Sequence, residues 1–164
     1  MNHLILAIDQ GTGGTKTVLF ETDGGVAAKA AVPLQSHYPQ VGFVEQDPGG
    51  LYENVLASVR LCIDKAVQQD RNVPNRIVAA GVSNQRETFL LWDNAGAPLC
   101  RAVVWQCKRA VSICERLKGT SVEAEIRART GLIMDPYFSG AKLAWLMEND
   151  PVVKEAVHSG KACF

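Results

Sequence analysis

The order of the first extended segments constrains the fold of this chain more than any other feature. Leu4 to Asp9 (LILAID) is a short, continuous apolar run, the pattern of a buried strand. Gln10 to Gly14 reads as a turn. Thr15 to Glu21 (TKTVLFE) has the β-branched and aromatic content of a second strand. The hairpin signal Asp23-Gly24-Gly25 then leads into a third, Val26 to Pro33. Only afterwards does a helical pattern begin. Asp47-Pro48 supplies a cap and a proline at the first helical position. Leu51, Val55, Val59, Cys62, Ile63, Ala66 and Val67 recur at helical spacing to about Gln69. Ile77 to Ser83 (IVAAGVS) is again a continuous apolar run and predicts a second buried strand.

A three-strand meander, a helix and then a buried strand is the opening order of an α/β domain of the ribonuclease-H-like, or actin-like ATPase, class. It does not suit a Rossmann unit, which alternates strand and helix from the start. Further along, Gly42 to Asp47 adds a short extended piece, Thr88 to Asp93 a strand ending in the turn Asn94-Ala95-Gly96, and Ala102 to Trp105 another extended piece. Helical patterns follow at 110–118, 121–130, 140–149 and 151–158, with Ser139 and Asp150-Pro151 as starts and Gly131 and Gly160 as stops. The whole predicts a meander followed by helices and a mixed sheet. The closing run Lys161-Ala162-Cys163-Phe164 is apolar and reads as the beginning of a strand. The expectation is therefore an incomplete domain, residues 1–164, of a longer protein.

Charge excludes two classes of partner. The 17 basic and 17 acidic side chains cancel, whereas a nucleic-acid coat or a binder of acidic membranes carries a basic excess. The apolar run Leu4 to Ile8 stops at Asp9, too short for a signal-peptide core or a membrane span. The five cysteines, at 62, 100, 107, 114 and 163, form no Cys-x-x-Cys pair and have no histidine at zinc-finger spacing. They read as reduced thiols of a cytoplasmic protein.

Four segments have residue types that can do chemistry. In Asp9-Gln10-Gly11-Thr12-Gly13-Gly14-Thr15-Lys16, both familiar phosphate loops fail. A Walker A loop needs Gly-Lys-Ser/Thr opening a helix, and a dinucleotide fingerprint needs a third glycine where Lys16 stands. What remains is a tight hairpin. Gly11, Gly13 and Gly14 would let backbone amides approach phosphate, with the hydroxyls of Thr12 and Thr15 and the Lys16 cation as further donors. Asp9, at the strand end, can hold a magnesium ion through its water shell. A plain glycine-rich turn stands beside that reading.

At the end of the second apolar strand, Arg86 and Glu87 place a fork of donors next to an acceptor. That pairing suits adjacent hydroxyl groups, each of which both donates and accepts; an exposed ion pair is the alternative. Trp105 is either an apolar wall for a carbon backbone or core packing. Asp135-Pro136-Tyr137-Phe138-Ser139-Gly140 is a rigid turn that aims the Tyr137 hydroxyl into a cleft or forms a hydrophobic helix entry. Lys108-Arg109 reads as a solvated pair.

The stretches LAIDQGTGGTK, GFVEQDP, GVSNQRET, AVVWQCKR and TGLIMDPYFSGAKLAWL together resemble the FGGY carbohydrate kinase family, in the family's order and over nearly the whole chain. NQRE, WQC and DPYFSG are the most specific of these, and they favour the glycerol branch over the pentulose and gluconate branches. The resemblance implies two actin-like domains closing over a cleft and transfer of the γ-phosphoryl of MgATP to a hydroxyl of glycerol. It also implies self-association of the complete protein. Arg86 and Glu87 would bond the polyol hydroxyls, Trp105 would line the carbon side and Tyr137 would complete the pocket. The Asp9–Lys16 hairpin would meet the nucleotide phosphates, with Asp9 on the magnesium side. The loop departs from the branch, which usually carries Thr or Ser where this chain has Gly13 and Arg where it has Lys16. The family's catalytic aspartate and adenosine-binding domain have no counterpart in these residues, so the 164-residue chain is expected to be inactive alone. A kinase for another small polyol or sugar, and a non-catalytic actin-like module, remain as alternatives.

Overall fold

Strands β1 (Leu4–Gly11), β2 (Gly14–Glu21) and β3 (Val26–Pro33) form the expected antiparallel meander. They belong to a computed structural model that describes residues 3–164. Pairing runs through Gln10 opposite Thr15 and Gly11 opposite Gly14, so the turn is only Thr12-Gly13, tighter than the sequence suggests. Helix α1 (Pro48–Val67) follows, then a four-residue helix α2 (Val73–Arg76) with no periodic signal, then β5 (Ile77–Asn84). A two-residue strand, β4 (Glu45–Gln46), precedes α1. β5 lies parallel to β1, which gives a mixed four-stranded sheet in the order β3-β2-β1-β5.

The residues divide into two compact units. The first takes the chain up to Ser36 together with Gly49–Gln85; the second takes His37–Pro48 and Arg86–Phe164. In the first unit, α1 covers one face of the sheet. Leu4, Leu6, Leu19, Ala30, Cys62, Ala66 and Val73 make its core. The buried stripe of α1 is Asn54, Ser58, Cys62 and Ala66, so half of it is polar. The reason lies in the facing strand, where Thr15 and Thr17 alternate inward with Leu19. Ser58 and Thr17 share a buried hydroxyl–hydroxyl bond of 2.8 Å, Ser58 Oγ also donates to the Thr15 carbonyl, and Asn54 Nδ2 donates to the Pro33 carbonyl at 2.8 Å. Ser58→Ala leaves the Thr17 hydroxyl buried without that partner. It is expected to cost about 1–2 kcal/mol in denaturant unfolding, with the double variant Thr17→Val/Ser58→Ala costing less than the sum of the singles.

β5 corrects one expectation. Ile77 to Ser83 does form a strand, but from Val78 onward it is exposed, Val82 to 69%. It is an edge strand with β1 on one side only, and beyond Ile77 none of its side chains joins the core beneath α1.

The second unit is built around β4, β6 (Trp92–Asp93), β7 (Ala102–Val103) and β8 (Ala162–Cys163), with helices α3 (Val111–Leu117), α4 (Ser121–Thr130), α5 (Ser139–Asn149) and α6 (Pro151–His158). β4 pairs with β7, and β6 with β8, so the apolar close of the chain is a short strand. Of the strand expected over Thr88–Asp93, only Trp92–Asp93 is regular, while Phe89 forms an isolated bridge to Val103. Asp150 caps α6 as the sequence predicts, accepting from the amides of Val152 and Val153. Gly131 closes α4 in the left-handed conformation (φ 74°).

Lys108 and Arg109 are not a solvated pair. Lys108 is exposed, but Arg109 is only 6% accessible. Arg109 Nη2 meets Glu45 Oε1 at 2.6 Å, and its guanidinium lies over the rings of Phe43 (4.6 Å) and Trp145 (5.1 Å). The bond ties β4 to the segment after β7, and α5 supplies one of the rings. The unit's apolar core packs as a cluster of Val44, Leu91, Val103, Val104, Cys107, Leu146 and Val153.

Candidate functional site

Candidate residues fall in both units, and each group forms its own site. In the first unit the β1–β2 hairpin carries Asp9 and Lys16 directly opposite one another, both exposed. Asp9, Gly11, Gly13, Gly14, Thr15 and Lys16 line a depression of about 410 Å³, closed on one side by Ala31, Val32 and Pro33 of β3. Two of its three glycines, Gly13 and Gly14, differ in the room around them. A Cβ on Gly14, whose φ is +152°, would sit 2.4 Å from the Val32 carbonyl oxygen, so that position has room only for glycine. A Cβ on Gly13 would meet nothing within 4 Å. Thr15, expected to present its hydroxyl at the surface, is instead fully buried, and its Oγ1 has no hydrogen-bond partner among the described residues.

In the second unit, three segments distant in sequence are brought together: Glu87-Thr88 after β5, Trp105 after β7, and Tyr137 at the entrance to α5. The Trp105 and Tyr137 rings meet edge to face at 6.0 Å, and Tyr137 packs the same way on Phe138 at 5.1 Å. The Trp105 amide donates to Thr88 Oγ1 at 3.1 Å, which joins the first two segments. Asp135 Oδ1 accepts from the Tyr137 amide at 2.8 Å, so the Asp-Pro turn does fix the tyrosine. Ser139, expected as a helix cap, is the first residue of α5. Its hydroxyl goes to Glu87 Oε2 at 3.2 Å instead.

Glu87 has φ 59°, the one positive value outside glycine among the described residues. A left-handed conformation costs a non-glycine residue about 1–2 kcal/mol, so the surroundings must enforce it. Enforcement comes from a residue that sequence reasoning missed. Lys142, fully buried on α5, donates from Nζ to the Glu87 carbonyl at 2.9 Å and to the Tyr137 carbonyl at 2.6 Å. Burial pulls its pKa down to about 8, which still leaves the ammonium form in the majority at pH 7 and both bonds charge-assisted. Arg86 is exposed at the same turn, and no ion pair among the described residues joins it to Glu87. An exposed guanidinium fork beside a half-buried carboxylate, with the contacting rings of Trp105 and Tyr137 in the same unit, has donors and acceptors for neighbouring hydroxyls and apolar surface for carbon.

All five cysteines are free thiols. Burial raises the pKa of Cys62, Cys100 and Cys114 and so keeps them unreactive at neutral pH. No group of three or more His, Cys, Asp or Glu among the described residues is placed to hold a metal by itself. No helix among them is long and apolar enough to cross a membrane.

The mixed sheet with its glycine hairpin in one unit, and the contacts among Glu87, Trp105 and Tyr137 in the other, define a class. Residues 4–164 match the model of the FGGY family of carbohydrate kinases, N-terminal domain, and the chain belongs to that family. Its similar relatives include glycerol kinase 1 of Thermotoga maritima, 40% identical over 161 residues, which are 98% of this chain and 32% of that protein. The glycerol kinase of Thermus brockianus is 42% identical over 161 residues, with the same two coverages of 98% and 32%. Among solved structures, Plasmodium falciparum glycerol kinase with ADP has the same fold, with a TM-score of 0.79 at 24% identity over 98% of this chain and 32% of that one. The fold is that of the actin-like ATPases. The chain spans about a third of the length of the curated relatives it matches.

Proposed function

We propose that this chain is part of the N-terminal actin-like domain of an ATP-dependent glycerol kinase. That enzyme transfers the γ-phosphoryl of MgATP to a glycerol hydroxyl and yields glycerol 3-phosphate. The observation that carries this reading is the convergence of Glu87, Trp105 and Tyr137 in the second unit, with Arg86 at its edge. Glu87 accepts hydroxyl protons, Arg86 donates to hydroxyl oxygens, Trp105 lies against the carbon chain and the Tyr137 phenol closes the far side. Phosphoryl transfer asks a protein chiefly for positioning and charge neutralisation, and this pocket supplies the positioning.

The hairpin of the first unit supplies the phosphate contacts. The amides of Gly11, Thr12, Gly13 and Gly14 and the Lys16 cation face phosphate oxygens, while Thr15, fully buried, lines the depression without offering its hydroxyl to it. Asp9, exposed at the strand end, would hold a magnesium ion through its water shell. Such an ion neutralises phosphate charge. A cytoplasmic, self-associating enzyme acting on small molecules is consistent with a chain whose charges cancel.

Arg86→Ala in the intact enzyme tests the donor half of the pocket. The glycerol KM is expected to rise by about tenfold or more, with the ATP KM unchanged, because a charged donor to substrate is lost. An unchanged glycerol KM would return Arg86 to an ordinary surface role.

A further inference from the structure

We infer that Lys142 is a positioning residue for the polyol pocket: bonded to the main-chain carbonyls of Glu87 and Tyr137 at once, it sets the separation between the carboxylate and the phenol that the substrate must bridge. The inference rests on the functional reading above and adds a residue to it that touches no substrate. Three observations carry it. Lys142 is fully buried, and both acceptors of its ammonium are backbone atoms of pocket residues, at 2.9 and 2.6 Å. Ser139, three residues earlier on α5, holds the Glu87 carboxylate at 3.2 Å, so the first turn of α5 grips Glu87 by its main chain and by its side chain. Glu87 sits in the left-handed region, a conformation that relaxes unless its carbonyl is held in place.

A buried ammonium is an expensive way merely to fill space. Methionine or leucine would occupy the same volume without desolvating a charge. What an apolar side chain cannot do is join two carbonyls that lie 50 residues apart in sequence, at Glu87 and Tyr137. The Asp135 turn fixes the tyrosine amide on one side, and Lys142 fixes its carbonyl on the other. Glu87 and Tyr137 then move as one body with α5.

The test compares Lys142→Met, which keeps the volume and removes the donors, with Lys142→Arg, which keeps charge and donors. Both are made in the intact enzyme, once the unmodified protein has been shown to phosphorylate glycerol. Lys142→Met is expected to raise the glycerol KM about tenfold while kcat and the ATP KM stay within about threefold, and Lys142→Arg is expected to recover most of the loss. Should Lys142→Met not fold, Lys142→Gln, with two donors on a shorter stem, replaces it with the same expected direction. A glycerol KM that does not move, or glycerol and ATP KM values that rise together in step with lost thermal stability, would overturn the inference. If the unmodified enzyme ignores glycerol, the functional reading falls. Hydrogen exchange then still decides the clamp: faster exchange at residues 86–88 and 135–139 in Lys142→Met supports it, and unchanged exchange removes it.

Discussion

Arg109→Ala is expected to destabilise the second unit by about 3–5 kcal/mol, the cost of stripping one partner from a buried ion pair. The side chains of Arg109 and Glu45 are 4% and 17% accessible and meet at 2.6 Å, so the alanine variant leaves the Glu45 carboxylate largely out of water and unpaired. It also removes the cation lying over the rings of Phe43 and Trp145, which meet each other edge to face, and the Nε donor that reaches Cys107 Sγ at 3.1 Å. Denaturant unfolding followed through tryptophan fluorescence reads the change, since Trp145 is one of the stacked rings. Arg109→Lys should recover only part of the loss, because an ammonium keeps the charge but loses the planar fork that stacks on the rings. Pairing Glu45→Gln with Arg109→Met should be milder than Arg109→Ala alone, since no lone charge is then buried. The adjacent Lys108→Ala is the control and should stay within about 0.5 kcal/mol, as an exposed side chain does. A loss below about 1 kcal/mol for Arg109→Ala would show that the pair is solvated after all.

Glu87→Gln is expected to lower kcat/KM for glycerol by about 100-fold or more in the intact enzyme, with little change in stability. The substitution keeps the shape of the side chain. It removes the charge that makes the hydroxyl–carboxylate bonds strong and replaces one of the two acceptor oxygens with a donor, while the remaining oxygen can still accept from Ser139. Because Glu87 is proposed for the polyol pocket and lies apart from the phosphate hairpin in sequence, the ATP KM should hold. An equal rise in both KM values would mean that the substitution acts through the fold.

The sequence makes local features legible. Continuous apolar runs and glycine turns place β1, β2 and β3, and Asp-Pro pairs place the starts of α1 and α6, because these signals act within a few residues of one another. What it hides depends on partners far along the chain. Arg109 finds Glu45 at a separation of 64 residues, and Lys142 finds Glu87 at 55, so neither reads as more than a solvated charge until the chain is folded. The polar half of the α1 stripe is hidden for the same reason: Asn54 and Ser58 break the apolar period, and only the facing strand shows why they are inside. β5 fails in the other direction, since an apolar run announces a strand without saying that it takes the edge of the sheet. Glu87, Trp105 and Tyr137 were each visible as candidates by residue type. Their meeting was not, and neither was the left-handed backbone of Glu87, for which the sequence offers no glycine as a sign.

The measurement that bears most directly on the polyol pocket is substrate discrimination by the intact enzyme. ATP consumption is followed with glycerol, a pentulose and gluconate in turn, and kcat/KM is compared. A pocket walled by Trp105 and Tyr137 and read by Arg86 and Glu87 predicts that glycerol is preferred by about 100-fold or more, since sites built to hydrogen-bond particular hydroxyls discriminate strongly. Preference for the pentulose or gluconate, or no consumption dependent on glycerol, would contradict it.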